Sequence, residues 1–180
     1  MLFVSCRQEV NGTGRIHHLR KAILFIAFVA VFGFLLYRAF HSGPTESPQD
    51  VTHCDPSLWK YVYNPGRLQV LNACISITGA VEKVINEADG DYHIRFRLDQ
   101  QFESLLDEEN ISKQHGDLIL ELMCQGNVTQ ADAVNACSQY DGPYFKPEVG
   151  QRYFVWGTYV HDADHGWNEL HPITSMEPVP

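Results

Sequence analysis

The residues best suited to chemistry lie near the C-terminal end, in the stretch HDADHGWNELHP from His161 to Pro172. Asp162, Asp164 and His165 cluster in what reads as a hairpin turn. Trp167, Glu169 and His171 follow at every second position, a spacing that sets them on one face of an extended strand. A second group, Asp89, Asp91 and His93, sits in ADGDYH. Imidazole and carboxylate are ligands that transition metals accept, so His93, His165, Glu169 and His171 form a candidate Zn²⁺ set or a polar cluster. Asp89, Asp91, Asp162 and Asp164 form an alternative, all-oxygen set of the kind Ca²⁺ prefers. Neither spacing is that of a known metal motif. Asp and Gly also make tight turns, and a buried histidine commonly satisfies a backbone carbonyl. No cofactor is therefore expected, Zn²⁺ and Ca²⁺ being the ions these sets would take.

Other chemistries are absent from the pattern. There is no Ser-His-Asp order, no Walker loop and no dinucleotide-binding glycine motif. The formal net charge is −9, divided as +4 up to His41 and −13 beyond it. A field of that sign repels phosphate backbones, so nucleic acid is not an expected partner. A divalent cation or a basic partner suits it better. The leading expectation is a tethered binding or interaction module without catalysis, for an unknown protein or small ligand. The alternatives are a metal-dependent hydrolase, nuclease-like in its loops, and a structural subunit of a membrane complex.

The charge division falls around an apolar run. Ala22–Tyr37, AILFIAFVAVFGFLLY, carries no charge, and with a snorkelling Arg38 the span 22–40 is long enough to cross a bilayer. Arg15, Arg20 and Lys21 precede it and acidic residues follow, which predicts a cytoplasmic tail over 1–21 and a domain outside. A cleaved signal peptide is the alternative, but no small-x-small pair follows the run. Residues 41–53, rich in Pro, Ser and Gly, read as a linker to a domain over 54–180. Cys6 falls on the inner side. Cys54, Cys74, Cys124 and Cys137 fall outside, an even number in an oxidising setting. Cys54–Cys74 and Cys124–Cys137 are the favoured pairs because each closes a short loop; free buried thiols are the other reading.

Five strands would position the candidate site. Leu68–Asn86 predicts a long first strand, with Leu71, Ala73, Ile75 and Ile77 on one face and a bend at Gly79. Tyr92–Asp99 alternates cleanly, with Tyr92, Ile94, Phe96 and Leu98 inward. Asp117–Cys124, Arg152–Val160 and Trp167–Thr174 complete the set. Gln100–Leu106 predicts a helical turn followed by a polar loop, and Thr129 with Asp132 predicts a capped helix over Gln130–Cys137. His53–Pro65 predicts an extended segment tied down by Cys54. Three strands, a helix and a two-strand hairpin are the layout of a five-stranded OB-fold-like barrel, mainly β, with its helix between strands three and four. Tyr153, Phe154, Trp156 and Tyr159 are candidates for a ligand platform or for core. Asn110-Ile-Ser and Asn127-Val-Thr match glycosylation acceptors.

The stretches ADGDYH, VLNACISITGAV, VTQADAVNAC and YVHDADHGWNELHP resemble a group of uncharacterised secreted or membrane-anchored OB-fold-like proteins with DGD-x-H and HGW-x-E-[IL]-HP motifs. The resemblance spans Leu68 to Met176 and implies that fold and an extracytoplasmic setting, with no activity. DGDYHIRFRLD also resembles the DGDT segment of staphylococcal-nuclease-like domains, which bind Ca²⁺ and cleave phosphodiesters. Tyr92 stands where that segment has threonine, and the acidic motif expected after the arginine strand is missing.

Overall fold

The computed structural model describes residues 53–180. The predicted tail, the apolar span 22–40 and nearly all of the linker lie outside the described residues. Among the described residues, no helix is long and apolar enough to cross a membrane.

Five strands close into one ring: β1 (Leu68–Asn86), β2 (Tyr92–Leu98), β3 (Leu118–Leu122), β4 (Arg152–Asp162) and β5 (Asn168–Pro178). Their order around the ring is β1-β2-β3-β5-β4. Neighbours run antiparallel except β3 and β5, which are parallel. The long β1 makes closure possible, because its first part pairs with β4 and its last part with β2. Gly79 and Ala80 pair with both strands at once. A side chain at Gly79 would collide with the Arg97 carbonyl, so this crowded position takes glycine. Register shifts fall beside it, around Leu71–Cys74 and at Glu82, rather than at Gly79 itself.

Alternation decides what fills the ring. Ile94, Phe96 and Leu98 of β2 meet Leu118, Leu120 and Leu122 of β3, with Ile77, Val155, Leu170 and Ile173 around them. Each such side chain, fully buried, contributes roughly 1.5–3 kcal/mol from apolar area removed from water. The shifts in β1 break the expected apolar face, and Leu71 is 47% exposed.

Two expectations about helices fail. Residues 131–136 form turns, not a helix between β3 and β4. The Thr129 hydroxyl and the backbone N–H groups of Thr129 and Gln130 all donate to the Ala88 carbonyl, so Thr129 is not available as a cap. The helix lies instead in the predicted polar loop: α1, Glu108–Lys113, between β2 and β3. A capping box starts it, with Asp107 Oδ1 accepting from the Asn110 N–H and Asn110 Oδ1 accepting from the Asp107 N–H. Gln100–Leu105 forms a 3-10 turn where a helical turn is predicted.

The segment before β1 is not extended. Pro56–Tyr61 winds into a 3-10 helix capped by Asp55. It buries Leu58 and Tyr61 against Met123 and Cys124 in a second, smaller core. Cys54 is bonded to Cys74 and Cys124 to Cys137, the two favoured pairs.

Candidate functional site

On β3, Leu118, Leu120 and Leu122 face the barrel interior, which leaves Ile119 and Glu121 on the outer face. By the same alternation, His93 of β2 and Glu169 and His171 of β5 stand outside the barrel. Register then brings them together. His93 is the direct partner of Glu121 across β2 and β3. In the parallel pair, Ile119 stands beside Glu169 and Leu120 beside Leu170. One residue further along come Glu121 and His171. A row of ionisable side chains therefore crosses three strands on the outside of the barrel, yet Glu121, Glu169 and His171 are buried.

They are buried because other segments wall in that face. Tyr63, Asn64 and Arg67 from the segment leading into β1, the Glu87–Asp91 turn and Trp167 enclose a cavity of about 450 Å³. His93, Asp91, Glu121, Asp164, His165 and His171 also line it. The helix α1 is pinned nearby by Asn110, whose Nδ2 donates to the carbonyls of Asp117 and Asn168 while its Oδ1 accepts from the Asn168 N–H. Asn110 is fully buried, so its sequon presents no side chain for a glycan, whereas Asn127 is exposed.

Within the site, three imidazoles share one arrangement. His93 Nδ1 lies 2.7 Å from Glu121 Oε1. His171 Nδ1 lies 3.0 Å from Glu169 Oε1, and Trp167 Nε1–H donates to Glu169 Oε2 at 3.1 Å. His165 Nδ1 lies 2.8 Å from Asp162 Oδ2. Carboxylates accept, so in the last two pairs Nδ1 is assigned the hydrogen and Nε2 the lone pair. The rings are held by aromatic contact as well. His165 stacks on Trp167 with centroids 4.5 Å apart, and His93 meets Trp167 edge-on at 6.1 Å. His171 Nε2 is buried and has no hydrogen-bond partner. A cis peptide joins His171 to Pro172.

The carboxylates divide by environment. Asp162 accepts from Arg67 Nε–H at 2.8 Å, from His165, and from the backbone N–H groups of Asp164 and His165. Although burial opposes it, these donors hold its carboxyl below the usual range. Asp91 accepts the Cys124 N–H at 2.7 Å, but burial and the neighbouring Asp89 push it up to about 7. Burial, then Glu169 and Asp91, raise Glu121. Burial lowers His93. Both shifts favour an uncharged Glu121–His93 pair.

The structure thus places His93, His165 and His171 around one cavity, with Glu169 buried behind it and bonded to His171 and Trp167. Of the acidic set, Asp89, Asp91 and Asp164 line the cavity, while Asp162 is consumed by the turn and Arg67. Among the described residues, three potential metal-ligating atoms come within 4.8 Å of one another at Asp91, Cys124 and Cys137. Those sulfurs are joined in a disulfide and cannot act as thiolates. The aromatic platform forms only in part: Phe154 and Trp156 lie 6.1 Å apart with His53 stacked on Trp156, while Tyr153 is core and Tyr159 packs against it.

Sequence reasoning missed Glu121 and Arg67. A lone Glu inside LILEL was the available signal, since a charge in an otherwise apolar strand needs a partner. Comparison with protein-family models, curated proteins and solved structures finds no match to this chain.

Proposed function

We propose that the chain is a membrane-tethered binding module, with an OB-fold-like barrel displayed outside the cytoplasm and its binding site in the cavity on the outer face. The observation that carries this reading is a polar cavity of about 450 Å³ lined by His93, His165 and His171, in whose wall the Nε2 of the 1%-exposed His171 is left unpartnered. An unmet buried acceptor costs roughly 1–3 kcal/mol. Binding is favoured over metal-dependent hydrolysis because no three ligand atoms of the cavity residues lie within 4.8 Å of one another, as a metal site would need. The four bonded cysteines agree with an oxidising compartment.

Histidine-ring NMR of the full-length protein tests the site. One probe of each donor class would be added in turn: Zn²⁺, agmatine and glucose. The reading expects at least one to shift the His171 and His93 rings and to saturate. No saturable shift from any of the three overturns it. The orientation is tested by a C-terminal tag, which external protease should remove from spheroplasts; protection until lysis reverses the topology.

A further inference from the structure

Within that binding reading, on which this inference rests, the geometry points to a small organic cation as the ligand, one whose ammonium or guanidinium N–H groups are donated to the cavity carboxylates. Three independent features select this class over a metal ion, an anion or a neutral sugar.

The first is the spread of the acceptors. Zn²⁺ holds its ligands at about 2.0–2.2 Å, which sets them only about 3.5 Å from one another in a tetrahedral site. No three such atoms of the cavity residues approach within 4.8 Å of each other. Acceptors so dispersed match several N–H donors distributed over a molecule better than one point charge.

The second is charge. Glu87, Asp89 and Asp164 set the cavity's charge against a single Arg67, burial favouring the neutral forms of Asp91 and Glu121 beside them. Arg67 is already engaged, donating to Asp162 and to the carbonyls of Tyr63 and Asn64. An anion would find only carboxylates and imidazole lone pairs. A cation gains from both, and a neutral polyol from the lone pairs alone.

The third is the wall. Tyr63 and Trp167, the latter covered on one face by His165, set aromatic rings beside the carboxylates, the pairing that recognises organic cations. A cavity of about 450 Å³ also exceeds what one ion fills and falls within the range of small-molecule sites.

Calorimetry on the full-length protein at low salt, with agmatine, Zn²⁺ and glucose as separate probes, tests this. Agmatine is expected to bind saturably, and glucose and Zn²⁺ to bind at least tenfold more weakly. Trp167→Ala, which removes the aromatic wall, should weaken agmatine tenfold or more. Because that substitution can unfold the chain, a second variant is paired with it. Glu87 and Asp164 are exposed at the rim, so Glu87→Gln with Asp164→Asn should leave melting unchanged while weakening agmatine several-fold, an effect that shrinks as salt rises. Binding of Zn²⁺ or glucose without agmatine overturns the cation assignment and leaves the binding reading standing. Agmatine binding indifferent to both variants places it elsewhere and also overturns the assignment. Failure of all three probes overturns both.

Discussion

Glu169 Oε1 lies 3.0 Å from the Nδ1 of His171, two residues along the same strand, and that contact makes the other ring nitrogen a buried acceptor. The geometry is a consequence of β5 being an ordinary strand, since alternate residues share a face. What is unusual is that the face is outside the barrel and its Glu121, Glu169 and His171 are still buried.

Breaking this pair should cost stability. Glu169→Ala leaves the His171 and Trp167 N–H groups without their acceptor in a buried place. Chemical denaturation should show a loss of roughly 2–4 kcal/mol, with the slope against denaturant unchanged. A loss below about 0.5 kcal/mol would mean that the network is solvated.

Asp91 should make the domain less stable as pH rises. Its folded carboxyl, pushed up to about 7 by burial and Asp89, binds a proton that the unfolded chain releases near 4. Between those values the folded state holds more protons, so stability falls with rising pH, by an upper bound of roughly 3–4 kcal/mol. Its surroundings are Asp89, Glu87, Glu121 and Glu169 on the acidic side, with His93, His171 and Arg67 opposing. Asp91→Asn keeps an oxygen for the Cys124 N–H and removes the charge. Melting curves from pH 4 to 8 should show the variant gaining on the wild type as pH rises. Parallel curves would contradict this origin.

Much of this site was legible, and the boundary is physical. Strands announce themselves through alternation, so the parity of Trp167, Glu169 and His171 on β5 and the outward position of His93 on β2 could be read directly. Which outward residues meet depends on register between strands far apart in the chain, and no local pattern encodes that. Glu121 therefore stayed inside an apolar run, with its partner His93 on another strand. The helix α1 was illegible for a different reason: it has six residues and buries only Asn110, so no apolar stripe marks it. Thr129 shows the converse, a sound capping residue whose hydroxyl is taken by Ala88 across the fold.

The disulfides should map as Cys54–Cys74 and Cys124–Cys137 by mass spectrometry without reduction. Replacing Cys124 and Cys137 together by Ser should cost roughly 2–4 kcal/mol, since the bond closes a loop of 13 residues. Four alkylatable thiols in folded protein would contradict the pairing.

The two sequons should behave differently in a glycosylating host that exports the domain. Asn127 is exposed and open to modification, while Asn110 is buried with four side-chain hydrogen bonds. Asn110→Ala should destabilise by about 2–4 kcal/mol by leaving backbone groups unpaired. A glycan on Asn110 in folded protein would contradict the placement of α1.

The central claim is that His171, in the wall of the cavity, keeps a bare and buried Nε2, and nitrogen-15 NMR of its imidazole reads that directly. The account predicts the tautomer with hydrogen on Nδ1 and an unprotonated Nε2 whose resonance moves when agmatine saturates the protein. A ring protonated at Nε2 in the free protein, or an Nε2 resonance that no probe displaces, would contradict it.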